Sequence, residues 1–266
     1  MGIAQLVERL VVVPEVAGSS PVTHPKKIQN PEALWFRDFV LCAVSRQAIG
    51  ETTLDTMATA NIPESTELPD FRVAGLGDIE AVVATVTSAF LNDPLWGPVF
   101  EDHETPAVPA SQLWNLFVSS AALRYPWTHV TRGCEAAAVW YPPGATEFTE
   151  AETAGYDAFL EGIVGRARAD EIQIIGEACD AAHPTEPSFY LSLLATHSDH
   201  RGRGLGMGLL AQSLTLIDAL GMPAYLESSN PANDARYASV GFEPYTTITV
   251  PSGHRFTTMW RPARES

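Results

Sequence analysis

Apolar residues recur with regular periods from residue 71 to the end of the chain, and before it they do not. Phe71, Arg72 and Val73 read as a strand. Asp78 can cap a helix in which Ile79, Val82, Val83, Val86 and Phe90 return at helical spacing. A second helix is expected over 111–124, where Leu113, Trp114, Phe117 and Leu123 precede the stop at Tyr125-Pro126. Strands follow at 127–130 and 136–141, the latter ended by Pro142-Pro143-Gly144. Residues 150–179 are mainly helical in pattern, 188–196 reads as a strand, 205–220 as a helix and 224–228 as a strand. After a short helix at 233–239, strands near 244–250 and 256–260 would form a closing hairpin. Strands punctuated by helices predict an α/β or α+β sheet covered on both faces.

The segment ahead of this domain has a different texture. Residues 57–69 end in the polar, proline-flanked stretch Pro63-Glu64-Ser65-Thr66-Glu67-Leu68-Pro69, which reads as a linker. Residues 1–56 are expected to be an extension outside the domain at 70–264. The run from Gly2 to Val22 resembles the peptides obtained when a transfer-RNA gene is translated by mistake, and Met57 would then be the natural start. An ordinary disordered or partner-binding tail is the alternative.

Charge and cysteine usage narrow the class. Thirty-two Asp and Glu against sixteen Lys and Arg give a formal charge of −16, which disfavours a nucleic-acid partner. Such a surface can concentrate cationic small molecules, although acidity also serves solubility alone. Cys42, Cys134 and Cys179 form no CxxC pair, so a reducing cytoplasm fits best and no zinc site is signalled. No apolar run approaches the roughly 20 residues of a membrane span. His129, His197 and His200 lack ligand spacing and read as sheet or loop residues, so no metal is expected.

The chemistry gathers at a strand, a glycine-rich turn and a helix over 188–220. In Arg201-Gly202-Arg203-Gly204-Leu205-Gly206 the glycines let the backbone turn tightly and aim several N–H groups into one concavity. The following helix adds its positive end, and Arg201 and Arg203 add donors, so a pyrophosphate fits. Leu210, Leu214, Ile217 and Leu220 lie on one face of that helix. A P-loop would need Gly-Lys followed by Ser or Thr, and here Gly206 is followed by Met207-Gly208. A dinucleotide fingerprint fails as well, since Met207 or Leu209 stands where its third glycine should. A bare flexible turn is the remaining alternative.

Arg-x-x-Gly-x-Gly at 201–206 resembles the acetyl-CoA signature of the GNAT superfamily of N-acetyltransferases. Pro187-Ser188-Phe189-Tyr190-Leu191, Asp199-His200-Arg201, Pro223-Ala224-Tyr225-Leu226-Glu227-Ser228-Ser229 and Tyr237-Ala238-Ser239-Val240-Gly241-Phe242 extend the likeness to its puromycin N-acetyltransferase-like actinobacterial members. It is close over 187–262 and looser back to residue 70. The resemblance implies a mixed, mostly antiparallel central sheet of six to seven strands flanked by helices, with acetyl-CoA as co-substrate. It implies that Leu193, Leu194 and Ala195 offer backbone groups to the pantetheine arm, with the Leu194 amide polarising the thioester carbonyl. Residues 201–206 would hold the pyrophosphate. Glu227 matches the family's proposed general base and Tyr237 the tyrosine that protonates the departing thiolate. Their alternatives are a salt-bridged carboxylate and a packed aromatic beside Phe242. Asn233, and after it Asn230, matches a cofactor-contacting position, and each can equally be a helix cap.

Acceptor specificity is expected in the less similar half, at 90–100 and at a mobile lid candidate over 144–180, and Trp96, Trp140, Tyr141, Phe148 and Tyr156 are candidate pocket walls or, as easily, core. The leading reading is direct acetyl transfer to a primary amine of a small molecule, with no cysteine in the matched site to carry a covalent acetyl group. A non-catalytic acetyl-CoA sensor or scaffold and an unrelated nucleotide-binding α/β protein are the competitors. A monomer and a homodimer both remain open.

Overall fold

A computed structural model describes residues 71–264, so the expectations for the extension and linker lie outside the described residues. The domain begins with β1 (Phe71–Val73), α1 (Ile79–Phe90), α2 (Gly97–Phe100) and α3 (Ala107–Arg124). The chain continues through β2 (Thr128–Thr131), β3 (Ala136–Tyr141), α4 (Glu150–Val164) and α5 (Arg166–Ala182). Its second half holds β4 (Phe189–Thr196), α6 (Leu205–Ala219), β5 (Ala224–Ser228), α7 (Asp234–Ala238), β6 (Glu243–Thr249) and β7 (Arg255–Arg261).

Three features depart from the pattern read in sequence. Helix α3 starts at Ala107 because Pro109 falls in its first turn, where no N–H is needed. The stretch expected as mainly helical over 150–179 is two helices, broken at Gly165, whose φ of 76° ends α4. The short helix α2, with Pro98 in its first turn, gave no periodic signal.

The strands form one seven-stranded sheet in the order β1-β2-β3-β4-β5-β7-β6. Every neighbouring pair is antiparallel except β4 with β5. Helices cover both faces. On one, Val82, Val86, Leu113, Trp114, Ile172 and Ile175 pack on Ala137 and Val139 of β3. On the other, Leu209, Leu210, Leu214 and Ile217 of α6 pack on Ala136, Ala138 and Trp140. A buried ion pair fastens α6 to the sheet: Arg261, 2% exposed, donates from Nη2 to Asp218 Oδ2 at 2.7 Å and from Nε to the Val240 carbonyl at 2.9 Å.

One irregularity shapes the middle of the sheet. Opposite β3, Leu193 faces Val139 and Leu191 faces Trp140, so Ser192 is an extra, bulged residue. The bulge exchanges the two faces of β4. Phe189 and Leu191 belong to the α6 side, whereas Leu193 and Ala195 belong to the opposite core.

Candidate active site

β4 and β5 pair only at Phe189 with Ala224, Tyr190 with Tyr225 and Leu191 with Leu226. Beyond Leu191 the strands part. β4 stays on β3 through Thr196, and β5 stays on β7, with Glu227 opposite Thr258 and Ser228 opposite Thr257. Leu193, Leu194 and Ala195 therefore have no partner in β5, and the sheet opens into a cleft of about 1880 Å³.

The glycine loop closes one end of this cleft. After a 3₁₀ turn at Ser198–His200, capped by the His197 ring, the chain bends at Gly202 and Gly204 with φ of 78° and 75°. That left-handed region favours glycine. Gly204 is the N-cap of α6, and the first helical bond runs from the Gly208 amide to the Gly204 carbonyl. The amides of Leu205, Gly206 and Met207 thus lie ahead of the intrahelical ladder, at its positive end. Gly206 packs closely on β4: a Cβ there would stand 2.6 Å from Thr196 Oγ1. Gly202, Gly204, Leu205 and Gly206 line the cleft. Arg201 lines it too, while its Nη2 donates to the Ala89 carbonyl at 2.9 Å and anchors the loop to α1. Arg203 is exposed beside His200 and outside the cleft wall.

Leu193 and Leu194 line the cleft, and the Ala195 side chain is buried in the core, leaving only its backbone on the strand edge. Asn230 Oδ1 accepts from the Ala232 amide at 3.0 Å and caps a 3₁₀ turn. Asn233 makes no such cap; its Oδ1 accepts from Arg236 Nη1 at 2.9 Å. Both asparagines line the cleft.

Glu227 and Tyr237 enter the same cleft from β5 and α7. The Glu227 side chain is 9% exposed, and its Oε1 is buried without a hydrogen-bond partner among the described residues. Burial pushes its pKa up to about 8, opposed by the Tyr190 and Tyr225 hydroxyls and reinforced by the charge of Glu147. His183 Nδ1 lies 4.0 Å from Glu227 Oε1; burial lowers the pKa of this ring and keeps it neutral near pH 7. Tyr237 packs edge-on against Phe242 at 6.2 Å, and burial pushes its phenol up to about 12. It is a packed aromatic that lines the cleft.

Sequence reasoning did not place several cleft residues, among them Glu147, Cys179 and His183. Glu147, between β3 and α4, is raised to about 7 by burial and accepts from Ser192 Oγ at 2.9 Å. It belongs to no periodic segment, so nothing flagged it. Cys179 lines the cleft from α5, but burial raises its thiol and keeps it protonated, a poor nucleophile. Among the aromatic wall candidates, Trp96, Tyr141, Phe148 and Tyr156 line the cleft, whereas Trp140 is fully buried under α6. His129 is a sheet residue bonded to Ser213 Oγ at 2.7 Å.

Among the described residues no helix is long and apolar enough to cross a membrane, and no cluster of three or more His, Cys, Asp or Glu is arranged to hold a metal. No family model matches the chain. Several solved structures share its fold. The structure described as histone acetyltransferase HPA2 and related acetyltransferase from Corynebacterium glutamicum superposes with a TM-score of 0.55 at 24% identity, covering 74% of this chain and 98% of that one. Arylalkylamine N-acetyltransferase 2 of Aedes aegypti gives 0.53 at 14% identity, with 73% and 99% covered. The polyamine N-acetyltransferase of Drosophila melanogaster, which forms N-acetylagmatine, gives 0.51 at 16% identity, with 72% and 98% covered. The chain has the fold of the GNAT acetyltransferases, a mixed and mostly antiparallel sheet flanked by helices.

Proposed function

We propose that this protein is an N-acetyltransferase that moves the acetyl group of acetyl-CoA directly to a primary amine of a small molecule. The single observation that carries the reading is the parting of β4 from β5 after Leu191, in line with a glycine turn at a helix N-terminus. An amide-rich arm can pair with the unpartnered edge at Leu193, Leu194 and Ala195 as an added strand. Its diphosphate meets the amides of Leu205, Gly206 and Met207 at the turn formed by Arg201, Gly202, Arg203 and Gly204. Asn233 is a further polar contact for the cofactor.

The chemistry follows from the two groups facing the cleft. Glu227 takes the proton from the acceptor ammonium, a task for which a carboxyl raised to about 8 is well matched. The amine nitrogen forms a bond to the thioester carbonyl carbon, whose oxygen is polarised by the Leu194 amide. The carbon–sulfur bond then breaks, Tyr237 gives its proton to the departing thiolate, and the second proton that leaves the nitrogen as the amide forms restores the phenol. Cys179 takes no part, so acetyl passes without a covalent enzyme intermediate. Retention of an acid and a base favours an enzyme over a non-catalytic sensor.

Thiol release from acetyl-CoA, measured against a panel of aminonucleosides, polyamines and amino acids, tests the proposal. Release with at least one amine is expected; binding of acetyl-CoA without release from any would identify a sensor.

A further inference from the structure

The Glu147 side chain is fixed by elements the transfer chemistry does not use. Its carbonyl accepts from Ser120 Oγ at 2.9 Å and from Arg124 Nη2, which pins this segment to α3. The next turn is held by a capping box in which the Glu152 amide donates to Thr149 Oγ1 at 3.2 Å and Glu152 Oε2 accepts the Thr149 amide at 2.7 Å. The Glu147 carboxylate is then steadied by Ser192, the residue that the bulge in β4 sets apart from the regular ladder.

Glu147 and Glu227 thus share one cleft, and among the described residues neither forms an ion pair with an Arg side chain. Arg124 spends its donors on Ser120, Tyr125, Thr146 and the Glu147 carbonyl. Asp180 adds further negative charge near Glu147, and the Arg124 guanidinium, which makes no hydrogen bond to the carboxylate, offsets part of it. Two unsatisfied atoms point to a ligand as the missing partner. One is Glu227 Oε1; the other is the hydroxyl of Tyr141, a residue 2% exposed that lines the cleft and feels the charge of Glu147. Buried carboxylates are costly unless a cation or donors meet them.

We infer that the acceptor is a dication, a small amine whose second cationic group sits between Glu147 and the Tyr141 hydroxyl while its reacting nitrogen meets Glu227. Glu147 is then a specificity residue that selects diamines and guanidino-amines over monoamines, and Ser192 is its positioning residue. The assignment of the reacting end rests on the acetyl-transfer reading above.

Calorimetric titration of putrescine and of butylamine into the protein bound to coenzyme A, which carries no acetyl group to transfer, tests this directly, because the two share a carbon chain and differ in one ammonium. Wild type is expected to bind putrescine about tenfold or more tightly than butylamine, the range of one charge-assisted hydrogen bond in a buried site. Glu147→Gln is expected to bring the two affinities together, and Ser192→Ala to narrow the gap. Equal affinities in wild type, or an unchanged preference in Glu147→Gln, would overturn the inference. Acetyl-CoA binding by each variant reports that it has folded. Thiol release without any diamine preference overturns this inference and leaves acetyl transfer standing. A preference that Glu147→Gln abolishes, with no thiol release, supports the dication pocket and removes the transfer reading.

Discussion

Leu191 and Leu226 are the last residues to face each other across the parallel ladder of β4 and β5. One residue later Ser192 bulges, the faces of β4 exchange, and the neighbouring strands follow different partners. The opening is therefore built into strand register. It joins a carboxylate on β5, a phenol on α7 and the amides of a helix terminus within one cleft.

Tyr237→Phe removes the proton donor and leaves the ring packed on Phe242. Turnover is expected to fall about a hundredfold, with acetyl-CoA affinity within about twofold of wild type. Steady-state kinetics beside a binding titration check this. An equal loss in both quantities would assign Tyr237 to binding.

Gly204→Val places a β-branched residue at φ 75° in the N-cap of α6. The turn must reshape, and acetyl-CoA binding is expected to be lost while Tyr237→Phe retains it. The two variants, titrated side by side, separate the grip on the diphosphate from the chemistry.

The pH profile follows from Glu227. The base must be ionised to accept a proton, so kcat/KM is expected to rise with pH and level off above about 8. Glu227→Gln should abolish that limb and lower activity by about a hundredfold or more. A profile already flat between about pH 6 and pH 9 would exclude Glu227 as the base.

The same carboxyl affects stability with a definite sign. Its folded value of about 8 lies above the ordinary 4.5, so the folded protein keeps a proton that the unfolded chain has released in that window. Its contribution therefore falls as pH rises from 4.5 to about 8. Glu227→Gln, neutral throughout, is expected to gain Tm relative to wild type with rising pH, by about 2 °C or more near pH 9. A difference independent of pH would contradict the burial of this group.

Asp218→Ala strands the buried Arg261 guanidinium between α6 and β7. The expected cost is about 3 kcal/mol. Denaturant unfolding measures it, and a loss below about 1 kcal/mol would show that the pair is solvated.

Apart from α2, the strands and helices from β1 to β7 were largely legible in sequence because they are periodic and bounded by turn-forming residues such as Pro and Gly. The glycine turn was legible too, since its spacing and context limit what it can bind. The split of β4 from β5 was legible only through the family resemblance, which implies a strand parted from its neighbour at Leu193, Leu194 and Ala195: by pattern alone Phe189-Tyr190-Leu191-Ser192-Leu193-Leu194 reads as one apolar strand, and only the pairing with β3 shows the bulge. Trp140 and Tyr141 were indistinguishable as wall candidates because alternation sends them to opposite faces without saying which face holds the cleft. Glu147 was invisible for a related reason. Its role comes from contacts with α3 and β4, distant in sequence.

A crystal structure of the complex with acetyl-CoA shows whether the gap between β4 and β5 receives the cofactor. The pantetheine arm is expected along Leu193, Leu194 and Ala195, the diphosphate on the amides after Gly204, and the thioester between Glu227 and Tyr237. A cofactor bound elsewhere, with β4 and β5 closed on each other, would contradict that placement.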